Sequence, residues 1–208
     1  MKHITEFLNK NLYKFVVFFI LLLASVIYIY KIDLLSLDCD EIFTINIINL
    51  PSLQEVVYEG NVRDTHPPLY HVLLFFFVKV FGHTEFAIRL FSSFCGILSV
   101  FFIFVLAKKL FSIKEGIISA FIAVFNIYLL YINQWARGYA LFLLLSILTF
   151  VFLVNIIKKT SKDGFFPVTD SILYAFFSIL NIYILTILQF YYYQLSYYLF
   201  YFFMEKNQ

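Results

Sequence analysis

Charge is what this sequence has least of. Of its 208 residues only 13% are Asp, Glu, Lys or Arg, while 62% are hydrophobic and 22% aromatic. A soluble domain is about half apolar and about a quarter charged. A core of this size cannot shield so many Phe, Tyr, Ile and Leu side chains from water, so lipid must solvate them. The chain is therefore expected to be an all-α polytopic membrane protein. Two cysteines are too few for a disulfide framework; Cys39 falls in a polar loop, and Cys95 falls in an apolar run where a small core residue fits. There is no basic tract for nucleic acid and no Gly-rich loop to cradle a phosphate. Ionisable residues are missing from the middle of every apolar run, and no run is broken by Pro at membrane depth. Both absences count against an ion-coupled transporter.

The net charge of +2 says little as a total, but its distribution sets an expected topology. Lys2, Lys10 and Lys14 precede an apolar run over 15–32, uncharged up to Lys31 and read as a retained first span with residues 1–14 in the cytoplasm. Residues 33–84 form an outer loop with its own helix signals. Asp38 with Glu41, and Ser52 with Glu55, have capping-box spacing. These predict short helices near 39–49 and 52–59, separated by Pro51, the second ended by Gly60. Their apolar faces suit lying on the membrane. The run 69–81 carries His71 and Lys79 and is too short to cross. Laying it along the interface also puts Lys108, Lys109 and Lys114 in the cytoplasm, as the positive-inside rule prefers. Further spans are expected at 85–110, 115–133 and 139–157, then a cytoplasmic loop over 158–170. The apolar stretch 171–203 would be about 50 Å long as one helix. It is split near Gln189 into a span at 171–189 and a partial span at 190–203.

With this topology the polar clusters gather on the outer side: Asp40-Glu41, His66-Pro67-Pro68-Leu69-Tyr70, Glu85 with Arg89, and Gln134-Trp135-Ala136-Arg137-Gly138-Tyr139. In this order and spacing, with Asp64 before His66 and Phe81-Gly82 before Glu85, they resemble the N-terminal part of the polyprenyl-phosphate-sugar-dependent glycosyltransferases of the GT-C superfamily. The branch most similar is that of protein O-mannosyltransferases (glycosyltransferase family 39-like) and lipid A aminoarabinose transferases. The resemblance covers nearly the whole chain. It implies a sugar donor on a polyprenyl phosphate, a glycan, lipid or protein acceptor, and transfer with inversion outside the cytoplasm of a cell-envelope membrane. It matches the family's outer-loop acid to Asp40, with Glu41 beside it. A single carboxylate can take the acceptor's proton, because a lipid phosphate leaves without needing a second acid. Arg137 suits the leaving phosphate, helped by Arg89 or His66. Tyr70, Gln134 and Tyr139 complete the candidate substrate contacts. No metal-ligand set is implied, although the chemistry would accommodate a divalent cation. Two departures stand out: Trp135 where relatives often carry an acid, and Gln189 where many carry a histidine. Relatives are usually longer, with more spans and a soluble outer domain. The alternative reading is therefore a truncated, non-catalytic protein of the same fold.

Structural readings of the same residues stand beside these. Asp38, Asp40 and Glu41 fit helix N-terminal acids. Glu85 and Arg89 fit an i,i+4 pair. His66 and His71 fit interfacial polar groups better than metal ligands. Arg137 fits a side chain snorkelling to headgroups, and Tyr139 with Tyr191–Tyr193 an aromatic belt.

Overall fold

The computed structural model describes residues 2–64, 66–163 and 166–184, with residues 2–11 and 162–163 as backbone only. Among the described residues all regular structure is helical: α1 (Lys2–Ile29), α2 (Cys39–Ile48), α3 (Leu53–Arg63), α4 (Leu69–Phe81), α5 (Glu85–Leu110), α6 (Ile113–Val124), α7 (Ile127–Gln134), α8 (Tyr139–Asp163) and α9 (Val168–Ile182). The chain is a helical membrane protein. Three helices are long and apolar enough to cross a bilayer, namely Leu12–Ile29 of α1, all of α5 and Tyr139–Ser161 of α8. Their outward faces carry the apolar side chains that need lipid. Phe15, Phe18 and Phe19 of α1 are all more than 60% exposed, and Ile118 and Phe121 of α6 and Ile172 and Phe176 of α9 are exposed as well.

α5 is the hub, packing against α1, α4, α6, α7 and α8. Two apolar clusters lie on either side of it. One joins α1, α5 and α6 through Ala24, Tyr28, Val100, Phe104, Ala120 and Val124. The other joins α4, α5 and α8 through Tyr70, Leu74, Ile88, Cys95, Ala140 and Leu144. Small residues let the helices come close. A Cβ on Gly96 would sit 2.3 Å from Asn133 Cγ, so the α7 end rests directly on the α5 backbone. At the far end of α5, Asn155 of α8 accepts from Lys109 at 2.7 Å and donates to Asp170 of α9 at 2.8 Å. That network ties three helix ends together.

Helices α2 and α3 form where the capping signals put them. Asp38 Oδ1 accepts the Glu41 N–H at 2.8 Å and Glu41 Oε2 accepts the Asp38 N–H at 3.3 Å, a reciprocal capping box. Ser52 Oγ accepts the Glu55 N–H at 3.2 Å. Two expectations need correcting. Gly60 does not end α3, which runs on to Arg63 with a Glu59–Arg63 ion pair across its last turn. Gly60 is needed for space instead, since a Cβ there would lie 3.0 Å from Pro68 Cβ. The expected single helix over 115–133 is two helices bent by 63°, because Asn126 caps a new start by accepting the Leu129 N–H at 3.0 Å. The end of the 171–189 run, Gln189, the partial span at 190–203 and Tyr191–Tyr193 lie outside the described residues.

Gly96→Ala is expected to destabilise the protein by about 1–3 kcal/mol, the usual cost of overpacking a well-filled core. The measurement is a thermal unfolding midpoint in detergent. Adding Asn133→Ala should recover part of the loss, since it removes the side chain that the new methyl meets.

Candidate active site

The site is built on the first turn of α2. Glu41 is 2% exposed, and every donor around it is aimed at its carboxylate. Arg89 gives a bidentate pair, Nε to Oε1 at 2.8 Å and Nη2 to Oε2 at 2.6 Å. The Ala136 N–H adds a bond to Oε1 at 2.9 Å. Burial alone would raise the Glu41 carboxyl, but the bonds from Arg89, Ala136 and Asp38 outweigh it and hold the group below its ordinary value. Arg89 is equally engaged. Besides Glu41 it donates from Nη1 to the Ile32 and Leu35 carbonyls at 2.9 and 2.7 Å, and from Nη2 to Ser36 at 3.3 Å. Those are all five N–H groups a guanidinium has. Arg89 thus reaches back across the loop to Glu41 rather than pairing with Glu85 one turn away. It pins the exit of α1, the start of α2 and the 135–138 turn to the head of α5.

Arg137 is placed differently. Its Nη1 donates to Asp64 Oδ2 at 3.0 Å and lies 3.5 Å from Thr44 Oγ1. No bond to Nε or Nη2 is made among the described residues, so three donors remain open. Thr44 in turn donates to the Asp40 carbonyl at 3.1 Å. One helical turn therefore separates the exposed Asp40 from the residue that touches Arg137. Asp64 is shared: its Oδ1 accepts the His66 N–H at 3.1 Å, and His71 Nε2 lies 3.4 Å from Oδ2 without a hydrogen bond. Burial pushes the His71 imidazole down to about 4, opposed by the Asp64 charge and reinforced by Arg137 and His66. His66 is lowered too, by burial first. Both rings are therefore neutral near pH 7.

Of the expected substrate contacts, Arg137, His66 and Tyr139 share one wall. The His66 ring meets Tyr139 edge-on with centroids 6.4 Å apart, and Tyr139 stacks on Trp135 at 5.3 Å and 14°. Three others point elsewhere. The Tyr70 hydroxyl is in the core, 3.1 Å from Ser92 Oγ. Gln134 caps α1, its Nε2 donating to the Tyr28 carbonyl at 3.1 Å. Arg89 has no donor left. Sequence reasoning missed Thr44 and gave Asp64 no role. Thr44 could have been found from its place four residues after Asp40, on the same face of the helix. Among the described residues no three His, Cys, Asp or Glu side chains gather closely enough to hold a metal ion.

The fold and this loop define a helical membrane protein with a polar site held over one end of its helices. A family model described as dolichyl-phosphate-mannose-protein mannosyltransferase matches residues 65–187. The chain belongs to this family of membrane glycosyltransferases. The match includes His66, Arg89 and Arg137, and Asp40 and Glu41 precede it. Neither a curated protein nor a solved structure matches the chain.

Two outcomes follow from the buried charges. Arg89→Ala strands the Glu41 carboxylate and is expected to cost about 3–5 kcal/mol, or to prevent folding, read as loss of the unfolding transition. The depressed His71 makes stability depend on pH in a definite direction. Between its ordinary 6.5 and about 4 the unfolded chain binds a proton that the folded chain does not. Stability is whole above about 6.5 and is lost as pH falls toward 4. A pH series of unfolding midpoints should show this decline, and His71→Gln should flatten it.

Proposed function

We propose that the chain is a GT-C-type membrane glycosyltransferase that moves a sugar from a dolichyl- or other polyprenyl-phosphate donor to an acceptor hydroxyl outside the cytoplasm. The observation that carries this reading is the pairing of an exposed carboxylate with an incompletely bonded guanidinium. Asp40 stands at the rim of α2 while its neighbour Glu41 is locked. Arg137, linked to the same helical turn through Thr44, keeps Nε and Nη2 open.

The step balances with these two groups. The acceptor oxygen attacks the anomeric carbon, and Asp40 takes the hydroxyl proton. The bond from that carbon to the phosphate oxygen breaks, and the lipid phosphate leaves as an anion beside Arg137, whose fork suits phosphate. Attack opposite the departing phosphate inverts the anomeric centre. Glu41 and Arg89 are positioning residues in this scheme, because neither has a free acceptor or donor to offer. The neutral His66 ring shapes the wall and adds no charge.

The proposed topology agrees with this placement. The linked lysines at the ends of α5 and α8 lie at the opposite end of those helices from Arg89 and Arg137, so a cytoplasmic lysine end puts Asp40 outside. α4, about 20 Å long by its 13 residues, then lies in the outer interface. The polar site sits where a lipid-linked phosphate meets water.

Asp40→Asn is expected to reduce sugar transfer from a dolichyl-phosphate-linked donor by about 100- to 10,000-fold while leaving the unfolding midpoint unchanged. Arg137→Lys should lower transfer with folding intact. Transfer untouched by Asp40→Asn would end the assignment of Asp40. A cysteine at Lys114 that labels from outside the cell would overturn the topology.

A further inference from the structure

Glu41 and Arg89 also line an open cavity of about 210 Å³ between the exit of α1, the 31–38 turn and α7. Its walls are Lys31, Ser36, Asp38, Tyr131, Gln134 and Trp135, with Ile32 and Leu35 adding aliphatic surface. None of these residues except Gln134 was expected to touch substrate, and the transfer chemistry above uses none of them.

The lining argues for a neutral, hydroxyl-rich ligand. Its charges cancel: Lys31 and Arg89 against Asp38 and Glu41. The two inner charges satisfy each other, and Arg89 has no N–H left for an anion. The α1 exit brings the negative end of one helix dipole and the α2 start the positive end of another, so the two dipoles together favour neither sign of ligand. What is offered instead is a mixture of acceptors and donors. Asp38 uses Oδ1 on the Glu41 N–H, and a carboxylate accepts on both oxygens. Gln134 uses Nε2 on α1 carbonyls, leaving its carbonyl oxygen. Lys31 and Ser36 are exposed donors. Tyr131 is 56% exposed, with its ring centroid 5.3 Å from that of Trp135, so it offers an apolar aromatic surface beside polar groups. An aromatic plate edged by a carboxylate, an amide, an ammonium and a hydroxyl is suited to a sugar ring, whose C–H face is apolar and whose rim is hydroxyls.

We infer that this cavity is a sugar-binding subsite. It takes one neutral pyranose ring, belonging to the acceptor glycan or the donor, against Tyr131 and Trp135. The inference rests on the glycosyltransferase reading, and Trp135, stacked on Tyr139, connects the cavity to the wall that carries His66.

The chain contains one tryptophan, so its intrinsic emission reports this cavity directly. The full chain in lipid nanodiscs is titrated with methyl α-mannoside and, separately, with citronellyl phosphate. The mannoside is expected to give a saturable change in emission and the phosphate none. Tyr131→Ala should weaken the mannoside response about tenfold, the loss of one good contact, while Tyr131→Phe keeps it. Ser36→Leu, on the exposed turn, gives a second test that leaves the packed interior alone and should also weaken it. A response to the phosphate and not the mannoside, no response to either, or a mannoside response that both Tyr131→Ala and Ser36→Leu leave intact would each overturn the subsite. Asp40→Asn should keep the response while losing transfer, so failure here and failure of the Asp40 assignment are read from different signals.

Discussion

The buried pair of Glu41 and Arg89 is the constraint on which the segment between α1 and α5 depends. Each member is almost wholly shielded from water, and alone each would be prohibitively costly there. Together, with backbone groups from three segments, they leave no donor or acceptor open. The pair thereby fixes where α1 stops, where α2 starts, how the 135–138 turn approaches and how all three sit on α5. Apolar packing holds the segment as well, through Ile47, Val56 and Phe75 within it and Ile48, Tyr70 and Leu74 against α5 and α8. The saturated ionic knot adds a directional registry that apolar contacts do not supply.

That knot also separates positioning residues from residues free to act. Two arginines lie near the same helix, and charge alone does not tell them apart. Counting donors does. Arg89 gives five N–H groups to the protein, whereas Arg137 gives one nitrogen and keeps two. The same count separates Asp40 from Glu41, adjacent in sequence and opposite in environment. The capping box explains why: Glu41 at the third helical position must turn back toward the N-cap and the interior, while Asp40, two residues after the cap, points outward.

Beneath the loop, the physics is that of a bilayer protein. Small and polar residues line the helix contacts, as where Asn133 settles on Gly96 and the Ser93 hydroxyl donates to the Asn133 carbonyl at 2.9 Å. Phe and Ile face outward, where lipid is as apolar as they are. α5 can serve as the hub because its surface is rich in Ser, Gly, Ala and Cys, which let five neighbours approach.

Composition by itself determined that the chain is helical and membrane-embedded, and its long apolar runs lie where Leu12–Ile29, Glu85–Leu110 and Tyr139–Ser161 form helices long enough to cross a bilayer. The capping spacings determined α2 and α3, because those signals are local: a side-chain oxygen and an N–H three residues away need no partner from elsewhere. The resemblance in motif order pointed to the family that the match over 65–187 then showed. Only the tertiary structure decided that Gly60 is a contact and not a stop, that the 115–133 run is broken at Asn126, and that Arg89 crosses 48 residues to Glu41 when Glu85 lay one turn away. It also turned Tyr70 into the core, set the Gln134 amide on the end of α1 and brought Thr44 and Asp64 to Arg137. Each of these depends on a partner distant in sequence, and no local pattern encodes which of several equally polar residues will be the one enclosed.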